Sequence, residues 1–154
     1  MRPQVFPVAS VLLSNNKANG WQVNRAIAQY RKLDVASLVD SASPHQLIEM
    51  LFDGACARLK RASGCIAHGD IKGRSVAITE TVSIVSGLQA SLDLEGGGDL
   101  AENLDALYDY MQRRLFRANA DNDAAPVQEV LDLIGTLHQA WHAISEDVAP
   151  LQHA

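Results

Sequence analysis

Aromatic residues are scarce in this chain of 154 residues: two Trp, three Tyr and three Phe make up 5% of it. Strands of sandwiches and barrels favour aromatic and β-branched side chains, so the scarcity, set against 47% apolar content, points to packed helices. Basic runs are absent as well. The 13 Lys and Arg are outnumbered by 18 Asp and Glu, a net charge of −5. Non-specific nucleic-acid binding draws on cations that neutralise phosphates, so no nucleic-acid partner is expected. No apolar run approaches the roughly 20 residues that span a bilayer, and Val5 to Leu13 is broken by Pro7 and Ser10. Membrane insertion is not expected. The same stretch leads into Leu13-Ser14-Asn15-Asn16-Lys17, which offers no small-x-small cleavage site for a signal peptidase.

Cysteine is limited to Cys56 and Cys65, nine residues apart in one helical stretch. Nine residues of helix separate them by about 13 Å of rise and turn them to opposite sides, too far for a disulfide. Small thiols in a reducing cytosol are the simpler reading. Catalytic signatures are missing too. No G-x-S-x-G, phosphate-binding loop or dinucleotide fingerprint occurs, and Gly96-Gly97-Gly98 does not follow a strand. A di-iron carboxylate bundle needs Glu-x-x-His motifs, of which there are none. His138 and His142 stand four apart as in the zinc-protease motif, but Gln139 replaces the glutamate that serves as base. His45 with Glu49 and His142 with Glu146 read as ordinary i,i+4 polar pairs. Neither catalytic residue, cofactor nor metal ligand is expected.

What is present is helical periodicity. Residues 1–20 end in a polar cluster and read as a mobile tail. Residues 21–42 read as a short amphipathic segment, with Val23, Ile27 and Tyr30 on one face. Ser43-Pro44-His45-Gln46 is a capping box with proline at the first helical position. From it Ile48, Phe52, Ala55, Leu59, Ala62 and Ile66 run at spacings of three and four until Gly69-Asp70. A second helix opens at Asp70 and carries Ile71, Ile78, Val85, Leu88 and Leu92 up to the triple glycine. A third, about 99–119, places Leu100, Leu104, Leu107, Met111, Leu115 and Ala118 on one face, with Arg113, Arg114 and Arg117 at its negative end. A fourth opens at Pro126, carries Val127, Val130, Ile134, Leu137, Trp141 and Ile144, and fades before Pro150. Short turns between helices of about 20 residues make antiparallel neighbours. The expected fold is all-α: an up-down-up-down four-helix bundle over residues 43–147, preceded by the amphipathic segment and followed by a tail at 148–154.

The apolar positions exceed what one core stripe needs. Leu47, Met50 and Leu51 lie off the first seam, and Tyr108, Tyr110 and Phe116 off the third. Glycines inside helices, at 54, 73, 87 and 135, leave room for close neighbours at a cost of about 1 kcal/mol each against alanine. Grooves that accept an amphipathic partner helix use both features. Six carboxylates between Asp93 and Asp109 have no base among them and read as a solvated face. Charge is also uneven along the chain. Residues 1–42 hold five bases and two acids, net +3, which leaves −8 on 43–154.

Several blocks resemble the flagellar export chaperone FliS family: Ser41 to Ala55, Gly69-Asp70, Gly97 to Leu104, Leu107 to Leu115, Ala118-Asn119 and Ala140-Trp141, in the family's order. Gly96 departs from it, at a position where the family commonly has a charge. Residues 1–20 have no counterpart in the usual member. The resemblance implies a cytosolic chaperone, not an enzyme. It would hold the disordered C-terminal region of flagellin in helical form, block premature polymerisation and assist delivery to the flagellar export gate. Leu47, Met50, Leu51, Leu100, Leu104, Leu107, Tyr108 and Met111 are then the expected flagellin-groove residues. Leu51→Asp or Leu104→Asp should weaken flagellin binding more than stability. In the family the N-terminal segment folds over the groove, and an Ile-x-x-Tyr pattern in it contributes to docking at the gate; Ile27 and Tyr30 match that pattern, which implies gate docking or a displaceable cap for them. A regulatory bundle that sequesters an anti-sigma factor or another export component is the alternative.

Overall fold

The computed structural model describes residues 43–152, with side chains over 43–144. Residues 1–42, including Ile27 and Tyr30, lie outside the described residues. Four helices follow one another: α1 (Pro44–His68), α2 (Ile71–Ala90), α3 (Gly98–Asp121) and α4 (Ala124–Gln152), with no strand among the described residues.

Helix α1 starts at the capping box. The Gln46 N–H donates to Ser43 Oγ at 3.2 Å, and the Ser43 N–H donates to Gln46 Oε1 at 2.8 Å, so two otherwise orphaned amide donors are satisfied. It stops at Gly69, whose φ of 72° is the left-handed conformation that glycine adopts without a Cβ penalty. Asp70 then caps α2 by accepting the Gly73 N–H at 2.9 Å. A Cβ on Gly73 would strike the Asp70 carboxylate and the Cys65 sulfur, so the close neighbour at this glycine is the cap itself.

Helix α2 ends at Ala90, well short of the triple glycine where the sequence places its end. Ser91 folds back instead: its Oγ donates to Leu88 O at 2.7 Å and its N–H to Gly87 O at 3.1 Å. Asp93 then nucleates a turn by accepting the Gly96 N–H at 3.0 Å. Ile71, expected in the α2 seam, is 64% exposed because it occupies the first position of the helix. Helix α3 runs on to Asp121 and closes on Asn122 at φ 53°. Its arginines therefore fall short of the last turn and pair with carboxylates: Arg113 with Asp109, Arg114 with Glu129 and Arg117 with Asp121. Helix α4 begins at Ala124, its first turn supported by an Ala125 N–H bond to Asp123 Oδ1, and continues through Pro150 to Gln152. Proline's fixed φ is helical, so it removes one backbone bond near the end without unwinding the turns before it.

Each helix packs on two others, in the ring α1–α2–α3–α4–α1, which leaves α1 and α3 diagonally opposed. Two of the side-chain bonds across the ring join an early position of one helix to a later one of its neighbour, as antiparallel neighbours do. Trp141 in the second half of α4 donates to His45 O at the start of α1, and Arg74 near the start of α2 donates to Asn119 near the end of α3. Inside lie Ile48, Leu51, Phe52, Leu59, Ile84, Leu88, Tyr108, Met111, Leu115, Ile134 and Trp141, each at most 1% exposed. Fully burying a side chain of this size contributes about 1.5–3 kcal/mol, so the ring is held mainly by this core.

Arg58 is the one charged residue among the buried side chains described. Its Nη1 donates to Gly54 O at 3.2 Å within α1, and its Nε donates to Glu80 Oε1 at 3.2 Å, which ties α1 to α2. A guanidinium is tolerated there because carboxylate and carbonyl replace the water it loses. Cys56 and Cys65 are both free thiols, and burial pushes the Cys56 thiol above its usual value.

Candidate functional site

The eight expected groove residues separate into two kinds. Leu51, Leu104, Tyr108 and Met111 are core side chains, at 1%, 8%, 1% and 0% exposure. Leu47, Met50, Leu100 and Leu107 are half-buried and lean on that core from outside. Leu47 and Met50 occupy the first two turns of α1, and Leu100 and Leu107 the first three turns of α3. Because α1 and α3 are diagonal, the two pairs belong to different edges of the ring and do not form one continuous seam. Leu131, Leu133 and Leu137 of α4 are half-buried in the same manner. Of the three surplus aromatics of α3, Tyr108 is core, Tyr110 donates to Glu129 Oε2 at 2.8 Å, and Phe116 is 62% exposed. Of these three, Phe116 alone presents an exposed apolar ring.

At the α1–α4 seam, polar side chains converge that sequence periodicity alone treats as separate pairs. Glu49 and His45 were expected to pair within α1. Instead the Glu49 carboxylate reaches across to α4, where Oε2 lies 3.0 Å from His138 Nε2 and Oε1 lies 3.0 Å from His142 Nδ1. The cause is the packing of His45, whose ring stacks flat on Trp141 with centroids 4.0 Å apart and planes 13° apart. Asp53, one turn along α1, places Oδ1 3.5 Å from His138 Nε2. Glu49, Asp53, His138 and His142, with Gln139 and Ala143, line an open groove of about 570 Å³. The spacing of His138 to His142 and of Glu49 to Asp53 is plain in the sequence. The register that sets one pair opposite the other is not.

Electrostatics at the seam follow from this geometry. Partial burial pushes the Glu49 carboxyl up, but the hydrogen bonds from both histidines outweigh it and hold the group below the usual carboxylate range. Burial lowers the His45 imidazole below its ordinary value, opposed by the nearby Glu49 charge and the Trp141 contact and aided by His142. A histidine depressed in the folded state must give up stability as pH falls below its unfolded value of 6.5 and through its folded one. His45→Phe keeps a ring against Trp141 and removes the titration. Urea melts between about pH 7.5 and pH 5 should therefore show a shallower loss of stability in His45→Phe than in the parent chain. An unchanged slope would mean that His45 is solvated in the fold.

Comparison with known proteins adds the context. Residues 26–148 match the family model described as "Flagellar protein FliS". A flagellar secretion chaperone FliS of Salmonella typhimurium is 48% identical over 120 residues, covering 77% of this chain and 89% of that protein. The Escherichia coli flagellar secretion chaperone FliS is 42% identical over 113 residues, 73% of this chain and 83% of that protein. The flagellar secretion chaperone FliSB of Pseudomonas aeruginosa is 38% identical over 121 residues, 79% of this chain and 96% of that protein.

Proposed function

The chain belongs to the FliS family, a family of flagellar secretion chaperones and not of enzymes, and on that premise we propose that it binds the C-terminal region of flagellin in the cytosol, one to one. It holds that segment in helical form, blocks premature polymerisation and assists delivery to the export gate. No helix among the described residues is long and apolar enough to cross a membrane.

The observation that carries this reading is the set of half-buried apolar side chains around a ring whose core is already complete: Leu47, Met50, Leu100 and Leu107, with the α4 leucines beside them. Leu51, Leu104, Tyr108 and Met111 form the floor beneath. Covering the remaining half of four such side chains contributes on the order of 4 kcal/mol. Micromolar affinity needs about 8 kcal/mol, and ordering a disordered segment costs about 2–5 more. The partner's own buried apolar face has to supply the rest, and a long disordered segment that extends along more than one seam offers more such surface than a short helix on one edge.

Co-expression with flagellin tests the reading. Full-length flagellin should co-purify with the chain in equal molar amount, and flagellin lacking its C-terminal region should not; equal capture of both would overturn it. Ile27 and Tyr30 are assigned to gate docking or to the displaceable cap, not to the lining of the groove. Ile27→Ala with Tyr30→Ala should leave flagellin capture intact while lowering flagellin secretion in motile cells. Unchanged secretion would remove the gate assignment.

A further inference from the structure

We propose that Glu49, Asp53 and His138 form a binding site for a divalent transition-metal ion of the zinc class, clamped between α1 and α4, with His142 one turn on holding the second oxygen of Glu49. Nothing in the chaperone reading requires it, and it stands on separate residues.

Its basis is donor geometry. Ligand atoms at ordinary zinc distances in a tetrahedral site are about 3.3 Å apart. Here His138 Nε2 lies 3.0 Å from Glu49 Oε2 and 3.5 Å from Asp53 Oδ1. The three donor atoms all fall within 4.8 Å of one another. Glu49 bridges to the second imidazole through its other oxygen, 3.0 Å from His142 Nδ1. Glu49 and Asp53 stand at i,i+4 on α1 and His138 faces them from α4, so helical backbone, not a loop, sets the separation of the donors. The Phe52 ring stacks on His138 at 5.7 Å and 16°, which restrains the imidazole plane.

The donor chemistry selects the ion. Imidazole beside carboxylate suits zinc, nickel or copper, whereas magnesium and calcium prefer oxygen throughout. Access is open, since the Asp53 side chain is 68% exposed and the groove meets solvent. Binding replaces the imidazole–carboxylate contacts by metal–ligand bonds and ties α1 to α4, so the bound ion stabilises the folded chain.

The test uses the full chain without a histidine tag, stripped by a chelator, and titrated with zinc chloride by calorimetry and by thermal melting. One ion should bind and the melting temperature should rise, while magnesium chloride at equal concentration does neither. Loss of an outer-shell partner already costs about 10–100-fold in metal affinity, and loss of a ligand should cost no less. His138→Ala and Asp53→Asn should each weaken zinc binding by that factor. Asp53→Asn changes no volume at an exposed position, so it reports on the site even if His138→Ala disturbs the fold. No zinc binding to the parent chain, or unchanged affinity in Asp53→Asn, overturns the assignment.

Discussion

Trp141→Ala should lower the stability of the chain by about 3–5 kcal/mol, the range for truncating a buried tryptophan. Three losses coincide. The indole is 1% exposed, so its removal leaves a cavity where α4 meets the start of α1. Its Nε1 donates to His45 O at 3.1 Å, a carbonyl in the first turn of α1. The stack on the His45 ring disappears as well. Trp141→Phe fills most of the space and should cost clearly less, which separates packing from the lost hydrogen bond. Chemical denaturation of the three chains measures this directly. A loss below about 1 kcal/mol for Trp141→Ala, typical of a surface substitution at most, would mean that the α1–α4 contact is not closed as described.

Leu51→Asp should leave the chain unfolded in water. The side chain is 1% exposed and surrounded by core, and truncating a buried leucine alone costs about 2–5 kcal/mol. A carboxylate there adds the burial of a polar group without a partner, several kcal/mol more, against a total stability of about 5–15 kcal/mol for a typical protein. From the sequence, Leu51→Asp was expected to affect binding more than stability; its burial reverses that order. Met50→Asp, one residue along at a half-buried position, should keep the helical circular dichroism and the cooperative melt. A folded Leu51→Asp chain would contradict the packing of α1.

The contrast between Met50 and Leu51 illustrates what periodicity resolves. A three-and-four stripe marks Ile48, Phe52 and Ala55, but a helix flanked by two neighbours buries a wider face, and Leu51 falls within it. The start of α1 was legible because Ser43, Pro44 and Gln46 encode its hydrogen bonds locally, and so was its end at Gly69. The end of α2 was not, because Ser91 and Asp93 close the chain by turns of their own before the more conspicuous glycines. Buried Arg58 and the convergence of Glu49 on His138 depend on how one helix is set against another, a relation that no single-helix pattern contains. Family resemblance reached further than periodicity, since it rests on the order of whole blocks.

Calorimetric titration of the isolated C-terminal segment of flagellin into the chain tests the central claim most directly. The account predicts one-to-one binding with a dissociation constant of about 1 μM or tighter, a negative heat-capacity change from apolar burial, and a gain of helix in the segment. No detectable binding at tens of micromolar, from a chain shown to be folded by its cooperative melt, would contradict it.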